Sequence, residues 1–419
     1  MRTVVAGQGY VGLPLAVRAA EVGHRVVGYD VDPHRVQQLA AGHSYVEDVA
    51  SSRLRAVLEA GAYAATADAA ALVGFDIALI TVPTPLRDDG VPDLTDIETC
   101  AHTLGEHLRP GATVVLESTT YPGCTEELLL PILEKASGLK AGEDFLAGFS
   151  PERIAPGNKR WSFDGTPKVV SGVDAKSLEV IKGFYDGIFQ TTVPVSGPKV
   201  AELAKLLENT FRLVNISLVN ELAMLAAPLG VNIWEAIEAA ATKPFGFTRF
   251  TPGPGVGGHC LPVDPLFLSW KIRQELGVPL RFVELADDVN RHMPDYVVQR
   301  VVDGLDRRGL PVNGSRILLL GLTYKYNATD LRNSPSARVA ELLIGLGADV
   351  RGADPNVPEG DTSKLNVPRV DANPQEVAAA DAVVLLMDHS RFDLAMIEKN
   401  APYVLDCRNR LSGANIETL

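Results

Sequence analysis

The chain has 419 residues, with 39 basic and 52 acidic side chains and a formal net charge of −13. An apolar share of 46% and a charged share of 22% exclude a disordered chain, and the acidic balance excludes a broad basic footprint for nucleic acid. Four scattered cysteines, Cys100, Cys124, Cys260 and Cys407, form no CxxC pair or His/Cys cluster, which excludes a disulfide scaffold or structural zinc site and makes a reducing cytoplasm the expected compartment.

The apolar start of the chain runs into Gly7 too early for a signal peptide. No run approaches the roughly 20 apolar residues of a membrane span, so no membrane partner is expected. Residues 3–6, 25–29, 76–82 and 113–117 read as buried strands. Residues 14–22, 35–41, 52–60 and 97–108 read as helices. Strands separated by helices imply a parallel, doubly wound sheet. From Pro198 to Leu229 the pattern is helical, with Val200, Leu203, Leu206, Leu207, Phe211, Val214, Leu218, Leu222 and Leu225 at spacings of three or four. A helix of that length exceeds the core of one small domain, so it is expected to bridge domains and to pack against a second subunit. A Gly/Pro-dense loop spans 252–265, and helix continues to about Leu305. After Pro311–Ser315 the alternation returns, with strands at 316–320, 349–353, 382–387 and 403–407 and a helix at 336–346. The expected fold class is α/β: two Rossmann-like doubly wound domains, 1–197 and 311–419, joined by a long central helix and a helical middle domain, 198–310.

Gly7-Gln8-Gly9-Tyr10-Val11-Gly12 follows the first strand and opens the first helix. In such a fingerprint the first glycine makes the turn, the second admits pyrophosphate, and the third packs helix on strand. Phosphate then sits on the helix N-terminus. The second strand ends at Asp30, eighteen residues after Gly12. A carboxylate there bonds the ribose 2′-OH and favours NAD over NADP; Arg35 weakens that preference or covers the adenine. Thr84 and Thr119 follow strands and are placed to face a cofactor, although Ser, Thr, Pro and Gly also serve simple turns.

Gly253, Gly255, Gly257 and Gly258 precede Cys260. Glycines let backbone approach a ligand, and a thiol so placed suits nucleophilic attack on a carbonyl. The alternative is a small buried hydrophobe, the role assigned to Cys100, Cys124 and Cys407. His259 is a candidate base, although its neighbour position points it away from Cys260. Asp264, four residues on, can share a site with Cys260. Lys205 and Asn209 share one helix face, with Glu202, Glu208, Arg212, Asn215 and Asn220 as further polar insertions. A solvated face is the competing account.

Together these segments resemble the UDP-glucose/GDP-mannose dehydrogenase family of NAD-dependent nucleotide-sugar 6-dehydrogenases. The resemblance runs through residues 7–14, 81–85, 117–119, 150–153, 201–210, 257–264, 321–325 and 330–335. It implies oxidation of C6 of a nucleoside-diphosphate hexose to the carboxylate, with two NAD reduced, through a thiohemiacetal and a thioester on Cys260. It implies Lys205 and Asn209 as oxyanion donors, Asp264 and Thr119 as groups that position water or take the first proton, and Glu152 as an aid to thioester hydrolysis. Lys325 and Arg332 would reach the diphosphates and cofactor, and Arg153, Gly257 and Gly258 would contact substrate. The expected partners are the nucleotide sugar and a second copy of the chain, joined through the central helix. Val263 and Pro156 depart from many UDP-glucose members, while residues 151–158 and Gly257-Gly258-His259-Cys260 look closer to members acting on N-acetylhexosamine nucleotides. Because related chains with this spelling also serve glucose nucleotides, UDP- or dTDP-glucose is the expected substrate, with UDP-N-acetylhexosamine the alternative. A two-electron dehydrogenase and a non-catalytic NAD or nucleotide-sugar sensor are the competing accounts.

Overall fold

The computed structural model describes residues 1–87, 89–154, 161–357 and 365–419. It divides into two compact units: Met1–Glu208 with Trp270–Gly277, and Asn209–Ser269 with Val278–Leu419.

The first unit opens with β1 (Arg2–Ala6), α1 (Gly12–Glu21), β2 (Arg25–Tyr29), α2 (Pro33–Ala40), α3 (Ser51–Glu59) and β3 (Tyr63–Thr66). It continues with β4 (Ile77–Ile80), α4 (Thr95–Glu106), β5 (Thr113–Leu116), α5 (Leu130–Ser137) and β6 (Leu146–Phe149). Then come β7 (Lys168–Val170), α6 (Ala175–Asp186) and β8 (Thr192–Pro194). Strands β1 to β6 form one sheet in the order β3-β2-β1-β4-β5-β6, every pair parallel. This is the dinucleotide-binding strand order, whose switch point lies between β1 and β4. Alternate residues feed opposite faces: Val5, Leu79 and Val115 pack on one side with α1 and α6, and Val4, Ala78 and Leu116 on the other with α4 and α5. Burial of each valine or leucine here is worth about 1.5–3 kcal/mol, and a strand covered on both faces carries no polar alternation. That is why 3–6 and 113–117 read as strands from sequence. β3 and β6 went unread because Tyr63-Ala64-Ala65-Thr66 and Leu146-Ala147-Gly148-Phe149 are short and rich in small residues.

Helices α7 (Pro198–Ala226), α8 (Ile233–Ala241), α9 (Asp264–Leu276) and α10 (Arg281–Asp306) follow. The division into units falls inside α7, after Glu208. The second unit also holds β9 (Arg316–Leu320), α11 (Pro335–Gly345), β10 (Asp349–Ala353), α12 (Pro374–Ala378), β11 (Ala382–Leu385), α13 (Leu394–Asn400), β12 (Val404–Asp406) and β13 (Ile416–Thr418). Its sheet runs β10-β9-β11-β12-β13, again all parallel. Ile317, Leu319 and Val384 pack with α10 and α11 on one face, and Leu318, Leu320 and Val383 with α13 on the other. Both sheets are thus doubly wound, as the strand–helix alternation implied. Among the described residues no helix is long and apolar enough to cross a membrane.

Candidate active site

In the first unit the glycine turn sits at the carboxyl end of β1. Gly7 has φ +92°, and a Cβ there would lie 2.8 Å from the Thr81 carbonyl oxygen. A Cβ on Gly12 would collide with the Gly7 carbonyl. The turn is held from three sides. Gln8 N–H donates to Asp30 Oδ2 at 2.8 Å, Tyr45 O–H to the Gln8 carbonyl at 2.6 Å, and Tyr63 O–H to Gln8 Oε1 at 2.8 Å. Helix α1 begins at Gly12, after Val11, with no side-chain cap, and its N-terminus opens directly onto the glycine turn, the position where such a helix end favours a phosphate. Asp30 is 5% exposed. Arg35 Nη1 stands 3.6 Å from it, and Arg35 Nε 3.6 Å from Asp32. Two carboxylates therefore oppose the Arg35 guanidinium. Tyr10 is exposed, Thr84 buried and Thr119 half-buried. The last two follow β4 and β5, and Thr81 and Ser118 beside them lock those loops to the Gly7 and Val82 carbonyls at 2.8 and 2.7 Å. These features fit a dinucleotide.

Glu152 and Arg153 follow β6. Glu152 Oε1 accepts from the Arg153 and Ile154 amides. Arg153 pairs with Glu208 at 2.7 Å and donates to the Pro167 carbonyl at 2.7 Å. Residues 155–158 of this motif, including Pro156, lie outside the described residues. Lys205 is half-buried on α7. Glu202, a polar insertion on the same helix, has a structural task. It is buried and accepts from Gly123 N–H, Thr125 N–H and Thr125 Oγ1, so it fixes the loop after β5. Asn215 is local, donating to the Phe211 carbonyl one turn back.

In the second unit the glycine loop ahead of α9 is strapped down along its length. Gly253 N–H donates to Asn220 Oδ1 at 3.0 Å, and Val256 N–H to Asn290 Oδ1 at 2.5 Å. Gly258 N–H reaches the Arg332 carbonyl at 3.2 Å, and Asn333 Nδ2 donates to the Gly258 carbonyl at 3.1 Å. Gly258 has φ +89° and lies so close to the Tyr324 ring that any Cβ would strike it. Gly253 is pressed on the Arg408 guanidinium, 2.8 Å from a Cβ to Nη1. At the loop's end the Cys260 carbonyl accepts from Val263 and Asp264 amides at 3.2 and 2.8 Å. Asp264 is 2% exposed and accepts from Asn209 Nδ2 at 2.6 Å. Cys260, Asp264 and Asn209 are thereby brought together.

The four cysteines separate sharply. Cys260 is exposed, and the other three are buried. Burial pushes the Cys100 and Cys124 thiols up to about 12, and Cys407 is also raised by burial. Burial, then the Arg332 charge, holds His259 below the usual imidazole range, against the opposing pull of Asp330. His259 is thus neutral near pH 7. Arg332 is bidentate on Asp330, at 3.0 and 2.7 Å. Lys325 is half-buried in the loop after β9. That loop is pinned by Asp354, which accepts from Leu322 and Thr323 amides at 2.7 and 3.1 Å, and by buried His389, whose Nδ1 accepts from Asn327 N–H at 2.9 Å. His389 Nε2 lies 3.0 Å from Asp354 Oδ2.

Sequence reasoning missed Asn290, Asp354, His389 and Arg408, because their partners lie far away along the chain. It also missed Lys168, which enters the apolar run of β7; a lysine in such a run was the available signal. Among the described residues no His/Cys/Asp/Glu group could hold a metal.

A dinucleotide fingerprint on one parallel sheet, a second doubly wound sheet and an exposed cysteine in a glycine loop define an NAD-linked dehydrogenase. The chain belongs to the UDP-glucose/GDP-mannose dehydrogenase family: it matches the family's NAD binding domain over residues 1–189, its central domain over 199–292 and its UDP binding domain over 318–413. It is an NAD-dependent nucleotide-sugar 6-dehydrogenase. The chain is 38% identical to a UDP-N-acetyl-D-glucosamine 6-dehydrogenase of Pseudomonas aeruginosa, over 94% of this chain and 91% of that protein. It superposes on a solved UDP-D-ManNAc dehydrogenase of Pyrococcus horikoshii with TM-score 0.91 and 33% identity, covering 100% and 99% of the two chains. A UDP-glucose dehydrogenase of Pyrobaculum islandicum gives TM-score 0.88 at 29% identity, covering 100% and 96%. The likeness in fold therefore spans both sugar types. The higher identities fall with N-acetylhexosamine enzymes and favour that alternative over the glucose substrate expected from sequence.

Proposed function

We propose that this chain oxidises C6 of a UDP-linked N-acetylhexosamine to the uronic acid, reducing two NAD per sugar, through a thioester on Cys260. The observation that carries the chemistry is the contrast among the cysteines: one exposed thiol in a strapped glycine loop beside the Asn209–Asp264 pair, and three buried. The names of the two most similar relatives described above support the sugar, as does the Gly257-Gly258-His259-Cys260 spelling.

Gly7, Gly9, Tyr10, Val11, Gly12, Asp30, Arg35, Thr84, Thr119 and Arg332 hold NAD, which when bound takes up hydride from C6, the first NAD from the alcohol and a second from the thiohemiacetal on Cys260, which becomes the thioester. Arg153, Gly257, Gly258 and Lys325 hold the nucleotide sugar. Cys260 Sγ bonds to C6 of the aldehyde, and Lys205 with Asn209 one helical turn on steadies the oxyanion that forms. Thr119 and Asp264 position the hydroxyl proton and water. Water then adds to the thioester carbonyl, Glu152 takes its proton, and sulfur leaves as thiolate. A second copy of the chain is the proposed partner, seated on the exposed apolar face of α7.

The test is NAD reduction with UDP-GlcNAc, UDP-ManNAc, UDP-glucose, dTDP-glucose and GDP-mannose. Two NADH per sugar are expected, with kcat/KM for one N-acetylhexosamine nucleotide at least about tenfold above the glucose nucleotides. A preference for UDP- or dTDP-glucose overturns the sugar assignment. One NADH with a stable aldehyde overturns the four-electron chemistry.

A further inference from the structure

The interior of the first unit holds a charged cluster that the proposed mechanism does not use. Lys168 on β7 is 3% exposed in its side chain, and its Nζ lies 2.6 Å from Oε2 of Glu117, which is 0% exposed. Tyr185 on α6 donates its hydroxyl to the other Glu117 oxygen. The Tyr185 and Phe189 rings lie 5.2 and 5.4 Å from the ammonium and close it off on that side. A buried ion pair of this kind is ordinarily explained by its two members alone. Here a third charge intrudes. Glu152 Oε2 stands 3.8 Å from the same ammonium, and the Glu152 side chain is only 12% exposed. Its Oε1 is taken by two backbone amides. Its Oε2 is buried and, among the described residues, has no hydrogen-bond partner. A buried carboxylate oxygen without a donor is costly unless a cation faces it.

We infer that Lys168 is a positioning residue for thioester hydrolysis: its ammonium, anchored on Glu117, holds Glu152 so that Oε2, which no backbone amide among the described residues engages, accepts the proton of the attacking water. The inference rests on the role given above to Glu152. In the step, the water oxygen bonds to the thioester carbonyl carbon, one water proton passes to Oε2, and the C–S bond breaks with its electron pair on sulfur. No oxidant or further reactant enters. Among the described residues, the titratable groups facing Glu152 are Lys168 from β7, Glu117 after β5 and Tyr185 from α6, while the Arg153 guanidinium is paired with Glu208. Among the described residues, one cation thus serves two carboxylates. Burial pushes the Glu117 carboxyl up, Lys168 opposes this and Glu152 adds to it, so the three share one field.

The experiment follows the Cys260 acyl-enzyme by intact-protein mass during turnover of NAD and UDP-GlcNAc, or whichever UDP-sugar the screen above selects. Glu152→Gln is expected to accumulate acyl-enzyme and to slow hydrolysis about a hundredfold. Lys168→Met is expected to accumulate it with about a tenfold loss, and Lys168→Arg to restore most of the rate. The sign of the pH effect separates this from a packing role. In Lys168→Met the acid side of the hydrolysis profile moves to higher pH, since two carboxylates then face each other without a cation. In Glu117→Gln, which leaves the ammonium to Glu152 alone, it moves to lower pH. Acyl-enzyme in Glu152→Gln with wild-type hydrolysis in Lys168→Met overturns the inference alone. No acyl-enzyme in Glu152→Gln overturns the role of Glu152 and this inference with it. If Lys168→Met loses its circular dichroism, Glu117→Gln decides: an unmoved acid side overturns the inference.

Discussion

Asp30 holds the turn it is expected to read. One oxygen accepts from Gln8 N–H inside the fingerprint and the other from Asp32 N–H at 2.9 Å, yet each carboxylate oxygen has a second lone pair for a ribose hydroxyl. Arg35 is balanced by Asp30 and Asp32 together. Asp30→Asn keeps the shape but lowers the acceptor charge and loosens that balance. It is expected to lower kcat/KM for NAD about tenfold and to raise it for NADP, because a 2′-phosphate then meets Arg35 with one carboxylate fewer. Steady-state kinetics with both dinucleotides check this, and unchanged selectivity contradicts it. The thiols make a second case at this scale. Alkylation requires thiolate and access. Cys100 and Cys124 are buried with thiols pushed up to about 12, and Cys407 is sealed in the same way. Brief iodoacetamide treatment at pH 7.5 is expected to label Cys260 alone in peptide mass maps and to abolish turnover in step. Labelling of Cys124 at a comparable rate contradicts the assignment.

The loop from Pro252 to Val263 has no helix or strand of its own, and its shape comes from groups on α7, α10 and the segment after β9. Asn220 and Asn290 are buried and give it their carbonyl oxygens. Asn220→Ala or Asn290→Ala removes the acceptor of one buried amide, at a cost of about 1–3 kcal/mol. Because the loop carries Cys260, the double variant is expected to lose at least about tenfold in kcat/KM, while circular dichroism stays native; a drop in thermal midpoint with unchanged turnover contradicts this. Such straps mark where sequence reading stops. The glycine fingerprint, the long helix and most strands announce themselves locally, through spacing and composition over a few neighbouring residues. Asn220 shows only as a polar intrusion in an apolar helix. Its partner Gly253 lies thirty-three positions away, and no local pattern links the two. The same holds for Lys168 and Glu117, fifty-one positions apart. The task of Glu202 is hidden for a related reason: helical spacing gives its face, and its partners Gly123 and Thr125 come from another part of the chain.

For the molecule as a whole, the unusual feature is what α7 leaves uncovered. Leu203, Leu207, Phe211, Leu218, Leu222 and Leu225 are 44–63% exposed, although their spacing of three, four and seven puts them along one stripe of a 29-residue helix. Scattered exposed leucines are ordinary, but a contiguous apolar stripe of this length has the character of an interaction surface. The apolar residues that α7 does bury, such as Leu206, Leu213, Val219 and Ala223, lie on its other side, so the helix carries two apolar faces. A twofold pairing places the same stripe on both copies and lets each cover the other. The chain is therefore expected to sediment as a dimer at micromolar concentration. Leu218→Glu combined with Leu222→Glu sets like charges into the middle of that stripe without touching the buried face. This pair is expected to shift the protein to monomer while leaving its circular dichroism unchanged. A wild-type monomer, or a double variant that still sediments as a dimer, contradicts pairing through this face.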